Sequence, residues 1–247
     1  MTMALAQDIA EEYLAAYNQP DPARRAYAVA GLWTEDARQF GDTTVEGRAA
    51  IVSAIGALRK ESFGPSGATL RLGPEICSRD EVLVIRWEVV AGGGEILETG
   101  ATVAVTTPGG RIKDEYIFIL SDSFEERAQD FAQRYVSAWN DLDAGRRDEL
   151  VRGLWTPEGV HLGGFVGTGH AELIEGIDRS HNRLVAGSGL RFRARRHATR
   201  KGDTVFFIWD AVPPAPDATA VATAAQVLRL DGDLVCKDFT IMMSGTD

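Results

Sequence analysis

Apolar residues return every three to four positions at the head of the chain, where Leu5, Ile9, Tyr13 and Ala16 or Tyr17 fall on one face of a predicted helix. The same period reappears at Phe131, Tyr135 and Ala138 or Trp139. In both places a second helical stretch follows, carrying an arginine pair and ending at Leu32-Trp33 or Leu154-Trp155. A short strand is predicted next (37–40 and 159–162), then a turn, then a third helix after Gly47 or Gly169. From about residue 68, and again from about residue 190, the period drops to two. Leu83, Ile85, Trp87 and Val89 alternate onto one strand face, and Val205, Phe207, Trp209 and Ala211 do the same. Gly92-Gly93-Gly94 and "PPAPDA" read as hairpin turns, as do Pro108-Gly109-Gly110 and Asp231-Gly232-Asp233 between the closing strands.

The two halves therefore repeat each other. At an offset of 122 residues "AQDIAEEYLAAYN" falls on "AQDFAQRYVSAWN", "GLWTED" on "GLWTPE", and "IRWEVV" on "FIWDAV". Asp21, Arg24 and Arg25 meet Asp143, Arg146 and Arg147; Gly41, Gly47, Ala49 and Ile55 meet Gly163, Gly169, Ala171 and Ile177. One inserted residue then sets "RIKDEYIFI" (111–119) on "LVCKDFTIM" (234–242). A period of about 120 residues is too long for a solenoid unit, so each copy is expected to be a complete domain. The predicted domains are 1–120 and 124–247, joined by a linker at 121–123, with Ser123 and Glu126 forming a capping box. So short a tether suggests an intrachain pseudo-dimer and leaves further oligomerisation open. Helices followed by a curved antiparallel sheet give an α+β cone with a pocket between the layers.

Composition narrows the function. A net charge of −10 weighs against nucleic acid and anionic membranes as partners. No apolar run is long enough to span a bilayer, and no basic patch precedes an apolar stretch at the N-terminus. Two cysteines, Cys77 and Cys236, without metal-ligand spacing, fit a reducing cytoplasm and predict neither a structural metal nor a disulfide framework. No cofactor-binding motif is present.

The order of helices, "LWTEDA", "EGRAAI", "IRWEVVAGGG" and "GGRIKDEYIF" resembles the NTF2-like superfamily, in particular its SnoaL-like and ketosteroid-isomerase-like branches, once per copy. That resemblance implies a cone-shaped domain holding a small apolar molecule. It further implies a tyrosine that stabilises an oxyanion, here Tyr13 and Tyr135. The isomerase base position falls on Gly41 and Gly163, neither of which can take a proton; Asp42, one residue on, is the substitute in the first copy. The second oxyanion donor falls on Thr102 and, by counting, on Ala225. SnoaL-like cyclases imply an acid/base in the cavity, for which the last strands offer Asp114 and Glu115, or Asp238.

Other candidates come from the residues themselves. His161 stands where the first copy has Gln39, either as a proton carrier or as a hydrogen-bonded structural histidine. Trp33, Trp87, Trp155 and Trp209 recur in pairs as core or as ligand-contacting pocket wall. His170 and His181 are expected at the surface, and Glu88 and Asp210 in polar contacts between the copies. "RFRARRHATRK" (191–201) sets Arg191, Arg193 and Arg195 on one face, either solvated or turned to an anionic ligand. Two functions remain. One is cofactor-free acid/base catalysis (isomerisation or cyclisation) with Tyr13 or Tyr135 and Asp42 or His161. The other is non-catalytic binding of a small molecule or a protein.

Overall fold

The computed structural model describes residues 2–120, 125–215 and 218–243. The tether 121–123, with the serine of the expected capping box, and part of the "PPAPDA" turn lie outside the described residues. The chain divides into two compact units, Met1–Asp122 and Ser123–Asp247.

The first unit opens with α1 (Met3–Asn18), capped by the Thr2 hydroxyl on the Leu5 N–H. Helix α2 (Pro22–Leu32) has the Asp21 carboxylate on the Arg24 N–H and a proline in its first turn, where a missing N–H costs nothing. Its end passes straight into β1 (Trp33–Phe40), four residues before the strand expected from the pattern, because Trp33 already has extended backbone. After β2 (Thr44–Glu46), α3 (Arg48–Leu58) runs on as a π-helical turn (Arg59–Phe63) and a short helical turn α4 (Gly64–Ser66). Strands β3 (Thr69–Arg79), β4 (Val82–Val90), β5 (Ile96–Thr106) and β6 (Ile112–Ile119) complete the unit. The second unit repeats this order: α5 (Glu126–Asn140), α6 (Ala144–Leu154), β7 (Trp155–Leu162), β8 (Val166–Thr168), α7 (Gly169–Ser180) with a π-helical turn (His181–Ala186), then β9 (Arg191–Ala194), β10 (Thr199–Lys201), β11 (Thr204–Val212), β12 (Ala222–Asp231) and β13 (Leu234–Met242).

The first sheet runs β2-β1-β6-β5-β4-β3 and the second β10-β11-β12-β13-β7-β8, with β9 also on β11. Both are antiparallel except at one seam each, β1 beside β6 and β7 beside β13, which is parallel. No hairpin joins these strands; the helices and the rest of the sheet intervene, so the turn geometry that enforces antiparallel neighbours is absent there. These seams carry the candidate chemistry. The single long β3, bulged between Leu72 and Ile76, is broken in the second unit into β9 and β10, and His197 takes a positive φ of 78° in the break.

One core lies between helices and sheet in each unit. Ile9, Tyr13 and Tyr17 of α1 and Ile51 and Ile55 of α3 meet Leu83, Ile85, Trp87 and Val89 of β4, the face that alternation predicts. Leu5 is more exposed than its period implies, and Ala6 takes the buried place in the first turn. Tyr135, Ile177, Val205 and Phe207 do the same in the second unit, with Trp209 packed against them.

Candidate active site

In the second unit, the β7–β13 seam pairs His161 with Asp238. Asp238 is fully buried, and its carboxylate collects three donors. His161 Nδ1 lies 2.7 Å and the Tyr135 hydroxyl 2.9 Å from Oδ2; Gln226 Nε2 donates to Oδ1. The Gln226 amide cannot turn around, because its Oε1 accepts from Trp209 Nε1 at 2.9 Å and from the Thr240 hydroxyl at 3.0 Å. An ionised carboxylate accepts only, so beside it a neutral imidazole would carry its proton on Nδ1 and leave Nε2 bare. Burial and the Asp238 charge push the Tyr135 hydroxyl well above its ordinary pKa, so that it stays a donor.

His161 forms part of the wall of a cavity of about 220 Å³. Trp139, Phe165, Phe192 and Trp209 supply aromatic wall, and the imidazole packs against Phe165 with ring centroids 4.4 Å apart. Gly163 makes room for the ring: an added Cβ would collide with His161 Nε2. The site thus offers a buried carboxylate, an imidazole oriented by it, and a largely apolar space beside them.

The first unit builds a different network on the same seam. Glu115 occupies the place of Asp238, paired with Gln39 in β1. Its Oε1 accepts from Tyr13 at 2.7 Å and Tyr17 at 2.8 Å; its Oε2 accepts from Trp33 Nε1 at 3.0 Å and Gln39 Nε2 at 3.1 Å. Tyr13 also shares a hydrogen bond of 2.8 Å with Thr102, which accepts from Trp87 Nε1 at 3.1 Å. Burial raises the Glu115 pKa; the four donors pull it back without cancelling that effect. Glutamate is one methylene longer than aspartate and reaches the Trp33 indole. The shorter Asp238 does not, and the equivalent Trp155 Nε1 has no hydrogen-bond partner among the described residues. The adjoining cavity, of about 200 Å³, is lined by Tyr13, Tyr17, Gln39 and Trp87, among others, and Asp42 and Glu98 also line it.

No family model matches the chain, and no curated protein does. Solved structures do, each over about half its length. A candidate isomerase of the SnoaL-like family from Agrobacterium tumefaciens is 26% identical over 49% of this chain and 100% of its own, with a TM-score of 0.45. A SnoaL-like protein of unknown function from Burkholderia thailandensis is 14% identical over 48% of this chain and 98% of its own, with a TM-score of 0.38. A hypothetical protein of ketosteroid isomerase-like fold from Catenulispora acidiphila, in complex with trimethylamine, is 18% identical over 48% and 85%, with a TM-score of 0.36. The chain resembles SnoaL-like proteins of the NTF2-like superfamily, in tandem. Among the described residues, no helix is long and apolar enough to cross a membrane.

The positions suggested by the SnoaL-like and isomerase resemblance separate into groups. Tyr13 and Tyr135 both line their cavities, yet each hydroxyl is bound to a buried carboxylate instead of standing free for an oxyanion. Asp42 is exposed in the bend after β1, at the first cavity, and the hydroxyl partners of Tyr13 are Thr102 and Glu115. Trp87 and Trp209 line the cavities; Trp33 and Trp155 are fully buried and are not among the residues lining them. The counterpart of Thr102 is Gln226 and not Ala225. Trp87 pairs with Gly100 but Trp209 with Ala224, so the loop before β12 is longer than a constant offset allows.

Three surface readings also change. Glu88 and Asp210 are engaged inside their own units, with Arg71 at 2.6 Å and Arg195 at 2.8 Å. Cross-strand register decides the first, since Arg71 stands directly opposite Glu88; Asp210 stands opposite Arg193 but pairs with Arg195. Arg195, still exposed, lies past the end of β9 and so is not in the strand row of Arg191 and Arg193. His181 is buried, its Nδ1 2.9 Å from the Trp139 carbonyl, and His170 is half-buried, its Nε2 2.9 Å from the Trp155 carbonyl. Pattern reading passed over Phe165, Phe192 and Gln226, and it placed Trp139 on a helix face without a role in the site. It offered Glu115 and Asp238 without assigning them a partner. The signal that singles them out is an acidic residue retained at one aligned position of the two last strands.

Proposed function

We propose that the second unit is a cofactor-free acid/base catalyst acting on a small, largely apolar organic molecule, with His161 Nε2 as the atom that moves the proton. The observation that carries this reading is the 2.7 Å contact between His161 Nδ1 and the buried Asp238, which points the second ring nitrogen away from the carboxylate in a residue that lines the cavity. His161 would take a proton from carbon beside a carbonyl. Asp238 would stabilise the imidazolium so formed, and return of the proton to another carbon would complete an isomerisation. Tyr135 and Gln226 are positioning residues for Asp238. Supporting the choice of an apolar substrate, the wall is mostly aromatic and aliphatic, with Arg183 the single arginine or lysine among the described residues that line it. The Agrobacterium relative's description as a candidate isomerase agrees with this class of reaction.

A generic carbon acid tests it without knowledge of the substrate. In 5-nitrobenzisoxazole, removal of the C3 proton breaks the ring N–O bond and releases a coloured nitrophenolate. The full chain is expected to accelerate this elimination, and His161→Gln to lower the rate by about 10²–10⁴-fold, the usual worth of a positioned base. Equal rates in the two proteins would leave the cavity as a binding site and remove the catalytic reading.

A further inference from the structure

The duplicated fold supplies its own control for ligand charge. Asp42 follows Gly41 as Gly164 follows Gly163, and all four belong to the aligned bend after the first strand. Glu98 pairs with Val89 in the first unit as Ala222 pairs with Ala211 in the second. Asp42, Glu98, Gly164 and Ala222 each line the cavity of their own unit. Two carboxylates in one cavity thus stand where the other has a glycine and an alanine.

We propose that the cavity of the first unit is a binding site for a small organic cation, an alkyl- or arylalkyl-ammonium. Among the described residues its lining includes no lysine, arginine or histidine, and three of its aromatic rings are Tyr17, Phe63 and Trp87, whose faces attract a cation. Inside it, Gln39 is nine-tenths buried. Both of its described hydrogen bonds come from Nε2, to Tyr17 and Glu115, so the amide carbonyl Oε1 is an acceptor without a protein partner among the described residues. An ammonium N–H, or the polarised C–H of a methylated one, meets that need. Glu98 is half-buried, and both its burial and the charge of Asp42 hold its carboxyl above the usual range. A cation between the two carboxylates relieves that repulsion. The second cavity also has aromatic rings, but a glycine and an alanine replace the two carboxylates and Arg183 stands in its wall, so it takes the neutral molecules proposed above. The two halves therefore differ in ligand class, and cation binding in the first is independent of proton transfer in the second.

The test uses the full chain labelled with ¹⁵N, titrated with tetramethylammonium, benzyltrimethylammonium and neopentylbenzene, the neutral carbon isostere of the last cation. The readout is the Trp87 indole N–H, assigned through Trp87→Phe, against that of Trp209. The expected result is a saturable shift at Trp87 with the cations, and affinity for the isostere lower by roughly ten-fold. The double variant Asp42→Asn, Glu98→Gln should weaken cation binding by a similar factor, and Asp42→Gly with Glu98→Ala, the residues the second unit carries, should do the same. Added salt should weaken it as well. The proposal is overturned by any of three results: no saturable shift with either cation, equal affinity for cation and isostere, or full affinity in both double variants.

Discussion

Asp238→Asn is expected to leave the second unit folded and lower its proton-transfer rate by about 10²–10⁴-fold, as in other carboxylate–imidazole pairs. The carboxylate receives donors on both oxygens: Gln226 on one, Tyr135 and His161 on the other. An asparagine can keep only one acceptor. Because Gln226 is held by Trp209 and Thr240, its N–H₂ continues to require that acceptor. The asparagine N–H₂ then faces Tyr135 and His161. His161 Nδ1 must accept, its proton moves to Nε2, and the lone pair on Nε2 is gone. Rates of benzisoxazole elimination, measured alongside the near-ultraviolet circular dichroism of the variant, check this. An unchanged rate with native dichroism would mean that the carboxylate does not set the imidazole tautomer.

The largest stability effect is expected at Glu115. In Glu115→Leu, Tyr13, Tyr17, Trp33 and Gln39 all lose their acceptor inside the core. Each buried donor left unsatisfied costs about 1–3 kcal/mol, and with partial relaxation the first unit should lose at least about 3 kcal/mol. Hydrogen exchange of the first unit's amides, with those of the second unit as reference, measures the loss. The pH dependence carries a sign. Burial lifts the folded pKa of Glu115 above its unfolded value, so the fold holds the proton more readily than the open chain. The stability contributed by this group is fullest below the unfolded carboxyl range and is lost as pH rises through the raised value. Glu115→Gln should remove that fall and expose Trp33 and Gln39 to an amide where they had a carboxylate.

Much of the architecture was legible because it is written in short-range periods and then repeated. Alternation at Leu83, Ile85, Trp87 and Val89 located β4 and its buried face, and the arginine pairs at 24–25 and 146–147 marked α2 and α6, whose caps the structure places on Asp21 and Asp143. The early start of β1 was hidden because "WTED" contains no alternation; tertiary packing of Trp33 decides it. The site was only half legible. His161 stood out because the other copy has Gln39 there. Its partner did not, because a β7–β13 contact between residues 161 and 238 leaves no trace in local spacing. Family counting led to Gly41 and Gly163. In the second unit, what Gly163 provides is space for the imidazole, not a proton acceptor. Counting also failed across the β11–β12 loop, where two units of one ancestral pattern differ in length, and so it missed Gln226.

The most direct measurement is the ¹⁵N spectrum of the imidazole of His161 in the full chain, with benzotriazole added as a flat, neutral azole for the second cavity. The neutral ring is predicted to carry its proton on Nδ1, with a bare Nε2 whose resonance moves as the azole binds. A ring protonated on Nε2, or an Nε2 signal indifferent to the azole, would contradict the assignment of this atom as the proton carrier.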